Sequence, residues 1–321
     1  MIVYDGHCHV ASTRFIPRQF LADVAGNVHA RLSAHGAGPD PGRLTDGYAA
    51  QHDDHLADGL VAEMDRAGVA RAVLMVPDFG LRMDCPLPMA EMARLHHEIR
   101  LRHPGRFWVY IGADPRRGPE GLAEFERSLD AYGFDGLKLY PPCGYSPSDR
   151  ALYPYYEVCA ARELPVFVHT GPTARSLDYD PAHPLRIDAA ARDFPSVDFV
   201  LGHAGLTHVE TAGYLAAHRP NVYLDIGGFA STPTLPRWPE HLNRLFRLGV
   251  NHKIIFGTDW PLNRLADGLR RSVAEVVEGP TVFAGVGRRD RELLLHENLL
   301  RVLAPASRPA AGAGAGAGSG G

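Results

Sequence analysis

The sequence has few of the features that membrane, nucleic-acid-binding or disulfide-rich proteins need. Its longest apolar runs are five to seven residues, whereas a membrane helix needs ~20. It contains no block of basic residues and has a formal net charge of −4, which argues against a nucleic-acid partner. Its four cysteines show no Cys-x-x-Cys spacing. We therefore expect reduced thiols in a cytoplasmic protein without a signal peptide.

Lysine is also scarce, with only Lys138 and Lys253 against 31 arginines, whereas histidine is abundant at 17 of the 321 residues. An apolar fraction of 45% and a charged fraction of 22% are ordinary for a globular chain with a sizeable core. This composition excludes a disordered chain, a coiled coil and a collagen-like repeat. Residues 305–321 form a Gly/Ala-rich tract that we expect to be a disordered tail, which leaves residues 1–304 as one domain.

Short apolar segments alternate with helix-like segments along residues 1–304, and eight such pairs predict a (β/α)8 TIM barrel of the α/β class. The predicted strands are Ile2–His9, Ala72–Val76, Phe107–Ala113, Gly136–Tyr140, Pro165–Thr170, Asp198–His203, Val222–Ile226 and Lys253–Thr258. The predicted helices are Leu56–Ala67, Met89–His103, Glu120–Tyr132, Asp149–Arg162, Pro184–Phe194, His208–Arg219, Trp238–Leu248, Arg264–Val277 and Asp290–Leu303. A doubly wound open sheet is disfavoured because no Gly-x-Gly-x-x-Gly turn follows a strand.

The segment 11–55, after the first strand, is far longer than an ordinary βα loop. It lies on the rim where a barrel of this kind places its active site. Two interpretations stay open, a lid or pocket wall and a plain surface insertion.

Polar side chains stand at the predicted ends of five strands, where a barrel gathers its catalytic groups. His7 and His9 are two residues apart on the first strand, so both face one side and Cys8 faces the other, where it is expected to pack. The other strand-end residues are Lys138, Tyr140, His169, His203 and Asp259. Imidazole and carboxylate ligands at several strand ends predict a divalent metal site, most readily zinc.

Ordered motifs across the chain resemble the amidohydrolase superfamily, in its amidohydrolase-2 branch. The matching segments are Asp5–His9, Met64–Val69, Arg106–Phe107, Asp114–Pro115, Gly136–Pro142, Pro165–Gly171, Leu201–Gly205, Val222–Asp225, Phe256–Pro261 and Glu297–Leu300. The resemblance implies that one divalent metal is bound by His7, His9, His169 and Asp259. It also implies that His203 is either a ligand of a second metal or a hydrogen-bonding catalytic group. In a two-metal site, a carboxylated Lys138 would be the bridging ligand, but one metal is the favoured number.

Two chemistries are known in this branch, and the hydrolytic one is favoured here. A metal-dependent hydrolase would cleave an amide, ester or lactone bond, with Asp259 moving the proton of the attacking water and His203 polarising the carbonyl. The alternatives are a non-oxidative decarboxylase of a small carboxylic acid and a barrel that binds a small molecule without turnover.

Weaker signals concern the substrate and the assembly. Lys138 as an ammonium, Tyr140, Arg175 and Trp260 are candidate contacts of a small-molecule substrate, and Asp225 is a candidate support for the metal ligands. A homodimer is possible.

Overall fold

Eight parallel strands form one sheet whose spatial order is the order of the sequence. The structure is a computed structural model that describes residues 1–34, 36, 38–230, 238–261, 268–279 and 286–304. The strands are β1 (Val3–Cys8), β2 (Val69–Val76), β3 (Phe107–Gly112), β4 (Gly136–Leu139), β5 (Val166–His169), β6 (Phe199–Gly202), β7 (Val222–Asp225) and β8 (Ile254–Ile255). The predicted tail 305–321 lies outside the described residues, as do the first residues of the predicted helix 264–277.

The sheet closes on itself between its first and last strands. The Gly6 amide donates to the carbonyl of Phe256 at 2.8 Å, and Cys8 forms a parallel bridge with Trp260. All ladders between consecutive strands are parallel. The predicted (β/α)8 barrel is therefore confirmed, and the open-sheet alternative is excluded.

The strands are buried on both faces because helices cover the outside of the barrel and side chains fill its interior. The interior layer consists of Val73, Met75, Trp108, Tyr110, Phe167, Val200, Tyr223, Ile255, Leu299 and Val302. On β5, Phe167 points inward while Val166 and Val168 pack against the outer helices. Because side chains alternate along a strand, His169 also points inward, at the carboxyl end of β5.

Helices α3 to α10 each follow one strand, and the predicted helices agree with them to within a few residues. They are α3 (Asp58–Ala67), α4 (Met89–Arg102), α5 (Gly118–Tyr132), α6 (Tyr153–Ala161), α7 (Asp188–Asp193), α8 (Val209–His218), α9 (Trp238–Arg247) and α10 (Gly268–Glu278). The final predicted helix is observed as α11 (Arg288–Glu292), a π-helical turn (Leu293–Glu297) and α12 (Asn298–Leu303). Within the described ranges, no helix combines the length and the apolar character needed to cross a membrane.

The segment 11–55 contains two helices that the sequence analysis did not predict, α1 (Arg18–Ser33) and α2 (Pro41–Ala50). The start of α2 carried a readable signal. Pro41 stands at the first helical position and the Asp40 side chain accepts the amide of Arg43 at 2.9 Å, as an N-cap does. Helix α1 buries only three residues, Leu21, Ala25 and Gly26, so its apolar periodicity is too weak to predict it.

Candidate metal centre

All seven strand-end residues singled out in the sequence line one cavity at the carboxyl end of the barrel. The cavity measures about 530 Å³ with its opening to solvent included. His7, Lys138 and His169 lie on β1, β4 and β5, whereas His9, Tyr140, His203 and Asp259 follow the ends of their strands. The parallel topology therefore brings these residues together as the strand-end argument predicts.

The floor of this cavity carries three acceptor atoms, which we call the acceptor triad: His7 Nε2, His9 Nε2 and one carboxylate oxygen of Asp259. Nε2 of His7 is 3.3 Å from Asp259 Oδ1, and Nε2 of His9 is 3.4 Å from the same oxygen. The other ring nitrogens are used elsewhere. His7 Nδ1 donates to Asp225 Oδ2 at 2.8 Å, and His9 Nδ1 donates to the carbonyl of Met75 at 3.0 Å.

These hydrogen bonds place a proton on Nδ1 of both rings. In the neutral form of a ring, Nε2 then carries a lone pair. Burial lowers the pKa of His7 well below its usual value, which keeps this ring neutral at pH 7. With both rings neutral, three acceptor atoms meet with no donor among them. The donor set fits a divalent cation, because two imidazoles and a carboxylate are common ligands of such ions.

The ligand atoms of His7, His203 and Asp225 also lie within 4.8 Å of one another. This second group is a hydrogen-bond network, because Asp225 accepts three N–H groups. They are His7 Nδ1 at 2.8 Å, the His203 amide at 3.0 Å and the Gly227 amide at 2.9 Å. Asp225 thus holds the His7 ring in place from behind, the arrangement expected for a carboxylate that supports a metal-binding histidine.

His169 and His203 form a pair of facing rings. His203 Nδ1 donates to the carbonyl of Gly227 at 2.8 Å, and His169 Nε2 donates to that of Pro172 at 3.1 Å. The remaining nitrogens, His203 Nε2 and His169 Nδ1, face each other 3.2 Å apart. Burial lowers the pKa of His169 well below its usual value, which disfavours an additional proton on this ring, so the facing nitrogens fit a metal ion. The predicted metal-binding role of His169, and the choice of role for His203, stay predictions.

Backbone conformation at the site is unusual in two places. His203 and Asp259 both adopt the left-handed region, with φ of 61° and 58°. This conformation is uncommon for residues other than glycine, and it occurs most often where a functional site holds the chain. The Asp259 amide donates to the carbonyl of His7 at 2.8 Å, which fixes the turn that carries the carboxylate toward the acceptor triad.

Asp5 connects β1 to the segment after β8 beneath the site. Its carboxylate accepts the His7 amide at 3.0 Å, the Thr258 amide at 3.0 Å and the Thr258 hydroxyl at 2.6 Å. Burial raises the pKa of Asp5 to about 6. Cys8 Sγ also donates to Asp5, at 3.0 Å, so this thiol packs behind the strand as predicted.

Four residues of the segment 11–55 line the cavity: Ile16, Phe20, Leu21 and His52. The segment therefore forms part of the pocket wall and is not a plain surface insertion. Pro77, Phe79 and Pro261 complete the apolar lining. Phe79 is not among the predicted site residues, although its place just after β2 on the catalytic rim is a usable signal.

The four candidate substrate contacts have different surroundings. Tyr140 lines the cavity, and its hydroxyl lies 2.8 Å from Thr173 Oγ1. Lys138 lines it too, fully buried. Arg175 is exposed and lies against Gly26 of α1, and it is not one of the cavity residues. Trp260 is fully buried in the core, where its indole N–H donates to Glu63 at 3.1 Å, and it is not one of the described cavity residues.

The profile of one protein family, described as Amidohydrolase, matches residues 4–304. By sequence, the chain is 38% identical to the protein fluG of Emericella nidulans over 123 residues. That match covers 36% of this chain and 14% of the fluG protein.

Solved structures with similar folds include several enzymes. An amidohydrolase of Burkholderia multivorans with bound zinc has a TM-score of 0.65 and 18% identity, covering 95% of this chain and 99% of the other. A probable 2-pyrone-4,6-dicarboxylic acid hydrolase of Acinetobacter baumannii has a TM-score of 0.63 and 16% identity, and the match covers 94% of this chain and 99% of the other. A 5-carboxyvanillate decarboxylase of Novosphingobium aromaticivorans complexed with manganese has a TM-score of 0.63 and 14% identity, and the match covers 94% of this chain and 95% of the other. At these identities the similarity shows a shared fold.

Proposed function

Because the chain belongs to the amidohydrolase family, we propose that it is a metal-dependent hydrolase that cleaves a C–N or C–O bond of a small molecule. The observation that carries the proposal is the acceptor triad of His7, His9 and Asp259 at the floor of the barrel cavity. The metal is proposed to be zinc, with one ion per chain, and the protein to be cytoplasmic. Zinc and manganese occur in the similar structures.

Different residues of this chain would act in different steps of the hydrolysis. A bound divalent ion polarises a carbonyl and lowers the pKa of water from about 15.7 toward 7. Asp259, whose carboxylate belongs to the triad, accepts the proton of the attacking water and returns it to the departing nitrogen or oxygen. His203, which lines the same cavity, polarises the substrate carbonyl and stabilises the oxyanion that develops on it.

Decarboxylation is the second candidate, and it is favoured by the similarity to a manganese-bound decarboxylase. The loss of CO2 leaves a carbanion that needs a proton at carbon. An acid in the same cavity has to supply this proton, and His203 is the candidate in this chain. The two reactions thus use the same residues and differ in their products.

Metal content tests the site. We expect zinc-reconstituted parent protein to hold one equivalent of metal by elemental analysis, and the double variant His7→Ala/His9→Ala to lose most of it. His218→Ala is the matched control, because His218 is exposed on α8. Circular dichroism should show all three proteins folded. Full metal occupancy in the folded double variant would refute the site.

Product analysis tests the reaction. The metal-loaded protein is screened with amides, esters, lactones and aromatic carboxylic acids. A new carboxylate together with an amine or alcohol supports the hydrolase. Release of CO2 with no hydrolysis would replace it with the decarboxylase.

A further inference from the structure

Lys138 is a buried lysine with no hydrogen-bond partner in the described part of the chain. The residue is 1% exposed and lines the cavity, and its Nζ forms no hydrogen bond with the described residues. The other lysine behaves differently. Lys253 Nζ donates to the carbonyl of Ala216 at 2.7 Å and to that of Arg219 at 2.5 Å. Buried ammonium groups normally have such acceptors, so the isolation of Lys138 requires a reason.

The described groups around Lys138 form no hydrogen bond with its Nζ. The ring centre of Phe167 lies 4.1 Å from Nζ, which gives a cation–π contact but accepts no hydrogen bond in the ordinary sense. The two nearby carboxylates are used elsewhere: Asp225 accepts three N–H groups, and Asp259 belongs to the acceptor triad. Neither forms an ion pair with Lys138 among the described contacts.

A metal in the acceptor triad would increase the need for an anion. A dication and an ammonium in one buried cavity repel each other, and this repulsion is strong where the effective dielectric constant is low. An anionic group placed between them would be attracted by both. A single carboxylate suits this position, because the described lining of the cavity offers one ammonium and contains no arginine.

The opposite wall determines the rest of the ligand. Ile16, Phe20 and Leu21 come from the segment 11–55, and Phe79 packs on Phe20 with ring centres 5.2 Å apart. This apolar wall favours a hydrocarbon or aromatic group, because its burial removes apolar surface from water. The cavity therefore presents a cationic side and an apolar side.

We propose that Lys138 is the carboxylate anchor of this cavity, and that the substrate is a small carboxylic acid whose apolar body lies against Ile16, Phe20 and Leu21. The carboxylate accepts hydrogen bonds from Nζ of Lys138, and this contact orients the substrate over the acceptor triad. The inference rests on the proposed function only in taking the ligand of this cavity to be the substrate.

Binding of benzoate and of its neutral isostere benzamide tests the anchor. Titration calorimetry is performed at pH 6 on metal-stripped and zinc-loaded protein, for the parent, Lys138→Met and Arg127→Met. Lys138→Met removes the charge at nearly constant volume, and Arg127→Met removes an exposed cation on α5, outside the cavity. Lys138→Gln, which keeps a polar group without the charge, replaces Lys138→Met if that variant does not fold.

We expect the metal-stripped parent and Arg127→Met to bind benzoate about tenfold or more tightly than benzamide. Lys138→Met should lose this preference while its affinity for benzamide stays within about twofold of the parent. The proposal is overturned if Lys138→Met keeps the preference, if the parent binds both probes equally, or if the parent binds neither.

The metal state separates this inference from the proposed function. A benzoate preference that appears only with zinc and survives in Lys138→Met places the carboxylate on the metal. That result overturns the anchor and leaves the metal site standing. The opposite outcome is also distinguishable. If the benzoate preference depends on Lys138 but His7→Ala/His9→Ala leaves the metal content unchanged, the metal site is refuted and the anchor is supported.

Discussion

Asp225 is the residue on which several parts of the site depend. It is fully buried and accepts hydrogen bonds from the ring of His7 and the amides of His203 and Gly227. The glycine at 257 makes room for it, since a Cβ there would lie 2.2 Å from Asp225 Oδ1. One carboxylate thereby orients the ring of His7 and fixes the backbone of His203.

Asp225→Asn should therefore weaken metal binding while the barrel remains folded. The amide has one acceptor oxygen in place of two, so at least one of the three N–H groups loses its partner. Loss of such supporting contacts typically costs 10–100-fold in metal affinity. Competition with a zinc chelator measures this, and an affinity within about twofold of the parent would contradict the role.

Asp259 is assigned both metal binding and proton transfer, and Asp259→Asn separates size from charge. Asparagine keeps the shape of the side chain but is neither an anion nor a base. We expect the turnover rate to fall by roughly 10²–10⁴, as when a general acid–base group is removed. The assay measures kcat on the substrate found in the product screen. Asp5→Asn is unsuitable as a control, because Asp5 links β1 to Thr258 through hydrogen bonds. Near-normal turnover would remove Asp259 from the mechanism.

Lys138 gives the stability of the metal-stripped protein a defined pH dependence. Burial lowers the pKa of Lys138 from 10.5 to about 7, so between these values the unfolded chain binds a proton that the folded chain has lost. The free energy of unfolding therefore rises with pH across this window, and the burial penalty is present in full below pH 7.

Comparison with Lys138→Met isolates this contribution. The stability of the parent relative to Lys138→Met should increase between about pH 7 and 10, by an amount on the order of a few kcal/mol. Urea denaturation at both pH values measures it. A difference between the two proteins that does not change with pH would show that Lys138 keeps its ordinary pKa.

At the scale of elements, the segment 11–55 turns an open barrel mouth into a cavity with a wall. Helix α1 contributes Phe20 and Leu21 to the lining, and its Gly26 packs closely against Arg175 in the loop after β5. The wall is thus supported from the opposite side of the mouth. We expect it to govern which substrates bind, and the strand-end residues to govern the reaction.

The substitution Phe20→Ala tests whether the wall governs substrate binding and not the reaction. Removal of the ring takes apolar surface from the wall without touching the acceptor triad, so KM should rise about tenfold while kcat changes little. Leu32→Ala, near the other end of α1 and outside the cavity lining, serves as the matched control. A fall in kcat at constant KM would place Phe20 in the reaction itself.

At the scale of the whole molecule, the site exists only when the barrel is closed. His7 and Asp259 are separated by most of the chain, and they meet because β1 lies next to the segment after β8. An unfolded chain offers no comparable set of ligands. Metal binding should therefore stabilise the folded state by mass action.

Metal removal measures this coupling. At free zinc about 100-fold above its Kd, the folded state should gain ~2.7 kcal/mol relative to chelated protein. Thermal or urea unfolding with and without chelator gives the value, and His7→Ala/His9→Ala should show no such gain. Equal stability of the parent in both conditions would contradict a metal site formed by folding.

The sequence by itself determined the barrel and the residues at its mouth. Continuous apolar strands at regular spacing can be buried only by helices on one face and a filled interior on the other, so the pattern specified eight βα units. Because the carboxyl ends of parallel strands meet on one side, it also brought His7, His9, His169, His203 and Asp259 to one cavity.

Only the tertiary structure decided which of these side chains face each other. The predicted strand 253–258 is reduced to Ile254–Ile255 because the chain then turns, with Asp259 at positive φ, to reach His7. The tautomers of His7 and His9 follow from Asp225 and Met75, which are distant in sequence. The isolation of Lys138 and the cavity wall from α1 likewise depend on contacts between distant segments. Local sequence patterns carry no information about such contacts, because they report burial and periodicity and not the partners of a side chain.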